Sequence, residues 1–203
     1  MVGAENILEL WGVTPKELAQ IIDANPSLRG FLFGYVAEHK LKNLWFSKKE
    51  FSDRKKYDDH NRKLKGDISF IYRGAEIRVE SKSLQTNSIK REDSIVKGKF
   101  QCDASDSREV ALPNGDRVKT TCLCVGEFDL LAVNLFQFKN KWQFAFAKNR
   151  DLPRTTYEKY TSEQRKCLLS TLMDIQLPLK PPYESEPFRL LNEIVAEKKR
   201  KIV

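Results

Sequence analysis

Charged and apolar side chains alternate along residues 76–83, EIRVESKS, and residues 67–72 before them, DISFIY, alternate between polar and apolar side chains. Side chains at every second position of a β-strand share one face of the strand. Residues 73–75, Arg-Gly-Ala, separate the two runs and are typical of a tight turn. We therefore predict a β-hairpin that brings the carboxylates of Asp67 and Glu80 together where its strands meet or diverge.

Two neighbouring carboxylates repel each other unless a cation lies between them. Mg²⁺ prefers one or two carboxylates together with waters and phosphate oxygens. We expect Asp67, Glu80 and the backbone carbonyl of Ser81 to hold Mg²⁺, for which Mn²⁺ can substitute. The metal would polarise a scissile phosphate and lower the pKa of a bound water. Lys82 would orient that water or stabilise charge on the phosphorus. An exposed strand with a Glu80–Lys82 salt bridge explains the charge pattern equally well.

Glu38 adds a third carboxylate, on a helix predicted from about Ser27 to Trp45. Its neighbours three and seven positions away are aromatic or aliphatic: Phe31, Tyr35, Leu41 and Trp45. An unpaired charge on such a stripe is costly. The position favours a paired or metal-facing carboxylate over a solvated one, and we expect Glu38 to belong to the same catalytic site.

The remaining elements follow from periodicity and capping signals. Thr14-Pro15-Lys16-Glu17 has the form of a capping box and predicts a helix that ends at Asn25-Pro26. The polar stretch of residues 47–66 predicts a loop or an exposed helix end. Further expected elements are a hairpin turn at residues 113–116, strands at residues 128–138 and 142–147, and helices at residues 161–174 and 187–199. This order predicts a single α/β or α+β domain spanning residues 1–203.

The composition indicates a globular protein. The chain has 203 residues, of which 40% are hydrophobic and 32% charged, as in globular proteins. It has no apolar run of the roughly 20 residues that span a bilayer, and residues 1–10 lack the features of a signal peptide. We therefore expect a cytoplasmic protein with no membrane partner. The net charge of +8 favours a polyanionic partner such as nucleic acid.

The four cysteines are too few for a disulfide scaffold in a chain of this length. Cys102, Cys122 and Cys124 could supply three metal ligands, but their spacing is not that of usual zinc sites. We favour reduced structural thiols over a zinc site.

A helical glutamate, an aspartate at a strand start and E-x-K on the next strand together resemble the PD-(D/E)xK nuclease superfamily. The matching residues are Glu38 in GFLFGYVAEHKL, Asp67 in KGDISFIY and Glu80-Ser81-Lys82 in EIRVESKS. Within the superfamily the chain is most similar to a compact type II restriction endonuclease. One departure is Gly66, which stands where the family has proline.

The resemblance covers a core of about residues 28–147, with C-terminal helices at about residues 157–199. It implies a restriction-endonuclease-like central mixed β-sheet flanked by helices, Mg²⁺-dependent hydrolysis of phosphodiesters in double-stranded DNA, and often a homodimer. A sequence-specific endonuclease is the leading interpretation. A repair nuclease or junction resolvase would have the same site. A DNA-binding module without catalysis, or a structural partner of a larger complex, stays open.

The polar region after Lys82 supplies residue types that contact bases and phosphates. It follows the predicted catalytic lysine directly, and it could extend toward a bound duplex. We expect DNA contacts from this region and from two lysines before the hairpin: Lys63, Lys65, Gln85, Asn87, Lys90, Arg91, Lys97, Lys99, Arg108, Arg117 and Lys119.

Overall fold

The computed structural model describes residues 6–56 and 66–200. The chain divides into two compact units, residues 1–36 and residues 37–203. The expectation of a single domain over residues 1–203 stays a prediction, and the two units are described separately.

The first unit is helical. It contains α1 (Ile7–Leu10), α2 (Pro15–Ala24) and the beginning of α3 (Pro26–Trp45). The predicted capping box is confirmed, because the Thr14 hydroxyl accepts from the backbone N–H of Glu17 and the Glu17 carboxylate accepts from that of Thr14. None of the described residues 6–36 is buried.

The second unit begins within α3 and contains all the strands among the described residues. The strands are β1 (Phe51–Lys56), β2 (Ile68–Tyr72), β3 (Ala75–Ser83), β4 (Lys90–Glu92), β5 (Ile95–Gln101), β6 (Asp103–Ala111), β7 (Arg117–Cys122), β8 (Leu130–Asn134), β9 (Phe144–Lys148) and β10 (Leu172–Leu177). The helices that follow α3 are α4 (Phe136–Lys139), α5 (Ser162–Cys167) and α6 (Phe188–Arg200), with short 3-10 helices at Thr86–Ser88 and Asn149–Asp151.

A five-stranded sheet in the order β1-β2-β3-β8-β9 forms the centre of this unit. The β3 and β8 strands are parallel and the other neighbours are antiparallel, so the sheet is mixed. Every residue of β8 is buried, as its nearly continuous apolar sequence predicts. This confirms the expected central mixed sheet flanked by helices, and it places β3, the strand with the E-x-K residues, in the middle of the sheet.

The core on one face of the sheet is aromatic. Phe46, which follows α3, packs against Phe51, Phe70 and Phe146 with ring centroids 4.7 to 6.4 Å apart. Side chains of α6 and the C-terminal part of α3 belong to the same cluster. Aromatic pairs of this kind contribute about 0.5–1.5 kcal/mol beyond the burial of their area. The β2–β3 hairpin therefore packs on a stabilising aromatic layer.

Two smaller sheets extend beyond the central one. A three-stranded antiparallel sheet has the order β10-β5-β4, and β6 pairs with β7 in a hairpin. The expected hairpin turn at residues 113–116 lies between β6 and β7 and is confirmed. The three-stranded sheet was not predicted.

Three predicted elements are wrong in part. The helix expected at residues 161–174 ends at Cys167, and β10 follows because its backbone pairs with β5. Residues 51–56, expected as loop or helix end, form the edge strand β1. The strand expected at residues 128–138 covers only Leu130–Asn134, and α4 begins at Phe136. The strand expected near residues 142–147 and the final helix are confirmed as β9 and α6.

Candidate active site

The β2–β3 hairpin brings together the residues that the sequence singled out. Its tight turn has positive φ at both central residues, +49° at Arg73 and +79° at Gly74, which matches the twist of two paired strands. The backbone N–H of Asp67 donates to the carbonyl of Val79 at 2.8 Å, which extends the ladder one residue beyond β2. Asp67 therefore lies beside Glu80 and Ser81.

The Asp67 carboxylate is fixed by the backbone of the opposite strand. Its Oδ2 accepts a hydrogen bond from the N–H of Ser81 at 2.6 Å. Gly66 reaches this position with a φ of +81°, and a Cβ there would stand 3.0 Å from the carbonyl oxygen of Val79. Proline, whose ring holds φ near about −65°, is incompatible with this conformation. The path of the backbone therefore favours glycine at position 66.

Glu80 and Lys82 lie on the same face of β3, as their spacing predicts. Lys82 Nζ is 2.7 Å from Glu80 Oε1, and it also donates to the backbone carbonyl of Asp103 at 3.2 Å. The Glu80 residue is buried, with 7% of its surface exposed. The salt bridge considered from the sequence is present, but on a largely buried face rather than an exposed strand.

Glu38 reaches this region from α3. Its carboxylate forms an ion pair with Lys56 of β1 at 2.8 Å, and the Glu38 side chain is only 17% exposed. The apolar stripe expected around Glu38 is wrong in its first half, because Phe31 and Tyr35 are exposed. The buried residues of α3 are Leu41, as expected, and Ala37, which was not part of the expected stripe.

The pKa values of Asp67 and Lys82 are both raised above their ordinary values. The pKa of Asp67 is raised to about 7, first by burial, then by the charge of Glu80 and, to a smaller extent, by that of Glu38. Lys82 and the hydrogen bond from Ser81 oppose this shift without cancelling it. Burial lowers the pKa of Lys82, but the charges of Glu80 and Asp67 outweigh burial and hold that pKa above its ordinary value. Lys82 therefore stays protonated and can act as a fixed cation, not as a general base.

Sequence reasoning missed two neighbours of Lys82. Cys102 is buried, and burial is the main cause that raises the pKa of its thiol to about 12. Asp103 lies next to it, and burial raises the pKa of its side chain while Lys82 lowers it. Both come close because β5 and β6 fold back on the end of β3, a long-range contact that no local motif reveals.

The donor set suits Mg²⁺ by its chemistry. Within residues 6–56 and 66–200, no three histidine, cysteine, aspartate or glutamate side chains lie close enough together to hold a metal ion. Mg²⁺ needs only one or two carboxylates, with water completing its octahedron. The hydrogen bond from Ser81 and the ion pair with Lys82 use Asp67 Oδ2 and Glu80 Oε1, so each carboxyl group has a second oxygen.

The three-stranded sheet begins next to Lys82. Leu84 bridges to Phe100 of β5, and the N–H of Gln85 donates to the carbonyl of Lys99 at 2.8 Å. One face of this sheet is apolar and buried, including Gly98, Phe100, Met173 and Ile175. The opposite face carries Lys90, Lys97, Lys99 and Gln101 in exposed positions, with Glu92 and Asp174 among them. Several residues expected to contact DNA thus share one solvent-facing surface.

The other residues expected to contact DNA are distributed differently. Arg108 of β6 forms a half-buried ion pair with Glu127 at 2.5 Å, and Arg117 of β7 pairs with Glu109 at 2.9 Å. The Arg91 guanidinium donates to the carbonyl of Phe138 at 2.7 Å. Asn87 and Lys119 are exposed. The expected contacts at Lys63 and Lys65 lie outside the described residues.

Comparison with known proteins gives one distant structural similarity. No family model and no curated protein matches the sequence. The structure is similar to that of a bacterial homing endonuclease, with a TM-score of 0.43 and 16% identity over 83% of this chain and 96% of the other. At this distance the similarity carries no functional information. None of the described helices is long and apolar enough to cross a membrane.

Proposed function

We propose that the chain is a Mg²⁺-dependent endonuclease that hydrolyses phosphodiester bonds of double-stranded DNA. The observation that supports this proposal is the convergence of Asp67, Glu80 and Lys82 at the end of one hairpin, with the pKa of Asp67 raised to about 7 by burial and by Glu80. A perturbed carboxylate with a specific charge partner is characteristic of functional sites.

Asp67 and Glu80, with the backbone carbonyl of Ser81, are the residues that would hold the cation. When bound, Mg²⁺ supplies charge neutralisation at the scissile phosphate and a more acidic water. The fixed ammonium of Lys82, held 2.7 Å from Glu80, contributes a preorganised positive charge where negative charge develops on the phosphate. Glu38 contributes negative charge from α3 and holds Lys56 beside the site.

The solvent-facing side of the three-stranded sheet is the surface that we propose for DNA contact. It continues from β3 through Leu84 and Gln85, so a duplex lying on it passes close to Lys82. Antiparallel strands enter the major groove in several DNA-binding folds. Arg108 does not belong to this surface, because it lies on β6 in the separate β6–β7 hairpin, where it forms a half-buried ion pair with Glu127.

Cleavage of plasmid and phage DNA in Mg²⁺, followed by mapping of the ends, tests the proposal. Asp67→Ala and Glu80→Ala should abolish cleavage and leave DNA binding in Ca²⁺ largely intact, because each removes a proposed metal ligand and little packing. Defined ends would indicate a sequence-specific, restriction-type enzyme. Cleavage only of branched DNA would indicate a junction resolvase. Near wild-type cleavage by either variant would show that the proposed metal site is wrong, and binding without any cleavage would indicate a non-catalytic module.

The DNA surface has its own test. The double variant Lys97→Ala/Lys99→Ala should weaken DNA binding and reduce the slope of log K against log salt by about 2, one for each lost phosphate contact. The matched control is Lys159→Ala/Lys166→Ala, two exposed lysines outside this sheet. Equal slopes for the two double variants would place the DNA elsewhere.

A further inference from the structure

The β10 strand adds a carboxylate to the surface proposed for DNA contact. Asp174 lies opposite Lys99 of β5 in the antiparallel register of the three-stranded sheet. Its neighbours Met173 and Ile175 are buried on the apolar face of this sheet. Because side chains alternate between the two faces of a strand, the Asp174 side chain lies on the solvent-facing side, next to the lysines of β5.

The register also limits the distance from Asp174 to the candidate active site. The backbone carbonyl that accepts from Lys82 belongs to Asp103, four residues beyond Lys99 along the chain. At a rise of about 3.4 Å per residue in a strand, Asp174 lies at most about 14 Å along the sheet from this carbonyl. Neighbouring bases of a duplex are about 3.4 Å apart, so a duplex on this face would meet Asp174 within about four base pairs of the phosphate beside Lys82.

The ion pair with Lys99 does not account for Asp174. Lys99 Nζ is 3.7 Å from Asp174 Oδ1, which is longer than a hydrogen bond, and 83% of the Asp174 side chain is exposed. An exposed ion pair of this geometry contributes little to stability. Glu92, the other carboxylate of this face, instead contacts Lys97 at 2.6 Å. Asp174 thus carries a loosely paired charge whose oxygens are accessible to a donor on a ligand.

The chemistry of the major groove selects one base for this carboxylate. A carboxylate is repelled by phosphates and by the acceptor atoms that guanine and thymine present in the groove. Adenine places an acceptor nitrogen beside its amino group, which suits an amide better than a carboxylate. Cytosine presents its N4 amino group as a donor, and aspartate accepts from it. An exposed aspartate among lysines on a DNA-contacting face therefore fits cytosine best.

We propose that Asp174 is a specificity-determining residue that accepts a hydrogen bond from N4 of a cytosine in the major groove. Lys99 stays available to a phosphate, because its 3.7 Å contact with Asp174 is weak and easily exchanged. This role rests on the proposed function, because it requires a duplex on the solvent-facing side of the three-stranded sheet.

Selection of bound duplexes from a randomised library in Ca²⁺ tests this role with the full chain. Sequences bound by the wild type should share a C·G pair, and replacing that pair should weaken binding about 10-fold. Asp174→Ala should lose the preference at that position alone and bind unrelated duplexes more tightly, because a charge that repels phosphates has been removed. Asp174→Asn should shift the preference from cytosine toward adenine, which an amide recognises through both a donor and an acceptor.

Glu92→Gln is the matched control, since it removes one negative charge from the same face. Its partner Lys97 is freed, so the variant should bind all duplexes more tightly and keep the cytosine preference. Asp174 and Glu92 both have exposed side chains, and thermal melts of all the variants should match the wild type. Loss of the cytosine preference in Glu92→Gln as well would mean a general effect of charge and would overturn the role of Asp174.

Cleavage of the selected DNA in Mg²⁺ separates failure of this role from failure of the proposed activity. Cleavage by the wild type together with a base preference that Asp174→Ala retains, or with no cytosine preference at any position, overturns the role of Asp174 alone. A cytosine preference that depends on Asp174 in a protein that does not cleave supports the role and contradicts the activity. Absence of both DNA binding and cleavage overturns both.

Discussion

Two clusters of charged side chains lie on the central sheet, and the pKa of a carboxyl group is shifted in opposite directions in them. At β9, the nearly buried Lys148 contacts Glu193 at 2.5 Å and also lies within 4 Å of Asp151 and Glu197. The hydrogen bond from Lys148 lowers the pKa of Glu193, as expected for a carboxylate stabilised by its partner. At the β2–β3 hairpin, by contrast, burial and Glu80 raise the pKa of Asp67 to about 7.

The difference is the one expected between a structural cluster and the proposed functional one. The Lys148 cluster joins β9 to α6, and the lowered pKa of Glu193 means that its carboxylate is more stable ionised inside the fold than outside it. The hairpin places the Asp67 carboxylate beside Glu80 and Lys82, and the Glu38–Lys56 ion pair contributes one further carboxylate from α3. The excess negative charge of this second cluster is a cost to folding that a bound divalent cation would remove.

The largest difference in cleavage rate is expected between substitutions of Lys82 and of Lys148, the two lysines enclosed in these clusters. Lys82→Met should lower the cleavage rate by about 10²–10⁴-fold, because the preorganised cation at the phosphate is lost. Lys82→Arg should not restore it, since a planar guanidinium cannot replace a compact ammonium. Lys148→Met should retain cleavage and reduce the free energy of unfolding. Single-turnover cleavage and urea denaturation measure both effects, and an active Lys82→Arg enzyme would reduce Lys82 to a salt-bridge partner.

Removing the charge of Asp67 and removing that of Glu193 should have opposite effects on stability. An unfolded aspartate ionises near pH 4, whereas folded Asp67 keeps its proton until about pH 7. The folded state therefore binds more protons between these values, and stability falls as pH rises through that window. Asp67→Asn should remove this loss and stabilise the metal-free protein at pH 8 by on the order of 1–3 kcal/mol, with a much smaller gain at pH 4.

Glu193→Gln is the matched control for that experiment. The pKa of Glu193 is lowered, so its contribution is present above about pH 4.3 and is lost as pH falls through the lower folded value. The Glu193 side chain is 35% exposed, and its removal should cost about 0.5 kcal/mol at pH 8. Thermal melts at pH 4 and pH 8 in EDTA show whether each variant is more or less stable than the wild type. Destabilisation by both variants at pH 8 would mean that the two clusters do not differ.

The smallest effect is expected at Glu38. Its partner Lys56 has a side chain 47% exposed, so Glu38→Gln leaves a solvated cation and should change stability by less than about 1 kcal/mol. Cleavage should fall about tenfold and require more Mg²⁺, because a negative charge beside the metal ligands has been removed. Wild-type cleavage together with a clear loss of stability would assign Glu38 to a structural ion pair alone.

The sequence predicted the parts of the site that depend on local contacts. Alternation with period two and the Arg73-Gly74 turn define the β2–β3 hairpin, and the hairpin by itself brings Asp67 to Glu80. The helix that carries Glu38 was predicted with nearly correct limits. Its buried face was predicted only in part: Leu41 is buried as expected, whereas Phe31 is exposed, because burial depends on which elements pack against α3 and not on helical period alone.

Elements that depend on distant pairing were not predicted. The β10 strand has an apolar sequence that also fits a helix, and its pairing with β5, some 75 residues earlier in the chain, decides between them. The β1 strand is polar apart from Phe51 and forms through backbone pairing with β2 at the edge of the sheet. The same long-range folding brings Cys102 and Asp103 to Lys82.

Calorimetric titration with Mn²⁺ at pH 6 and pH 8 tests the central claim most directly, that Asp67 and Glu80 form a divalent-cation site. Wild-type protein and Glu193→Gln should bind about one ion, more tightly at pH 8, because a carboxyl group with a pKa of about 7 must lose its proton to bind metal. Asp67→Asn should lose this binding. Equal binding by Asp67→Asn and the wild type, or no binding by the wild type at pH 8, would contradict the account.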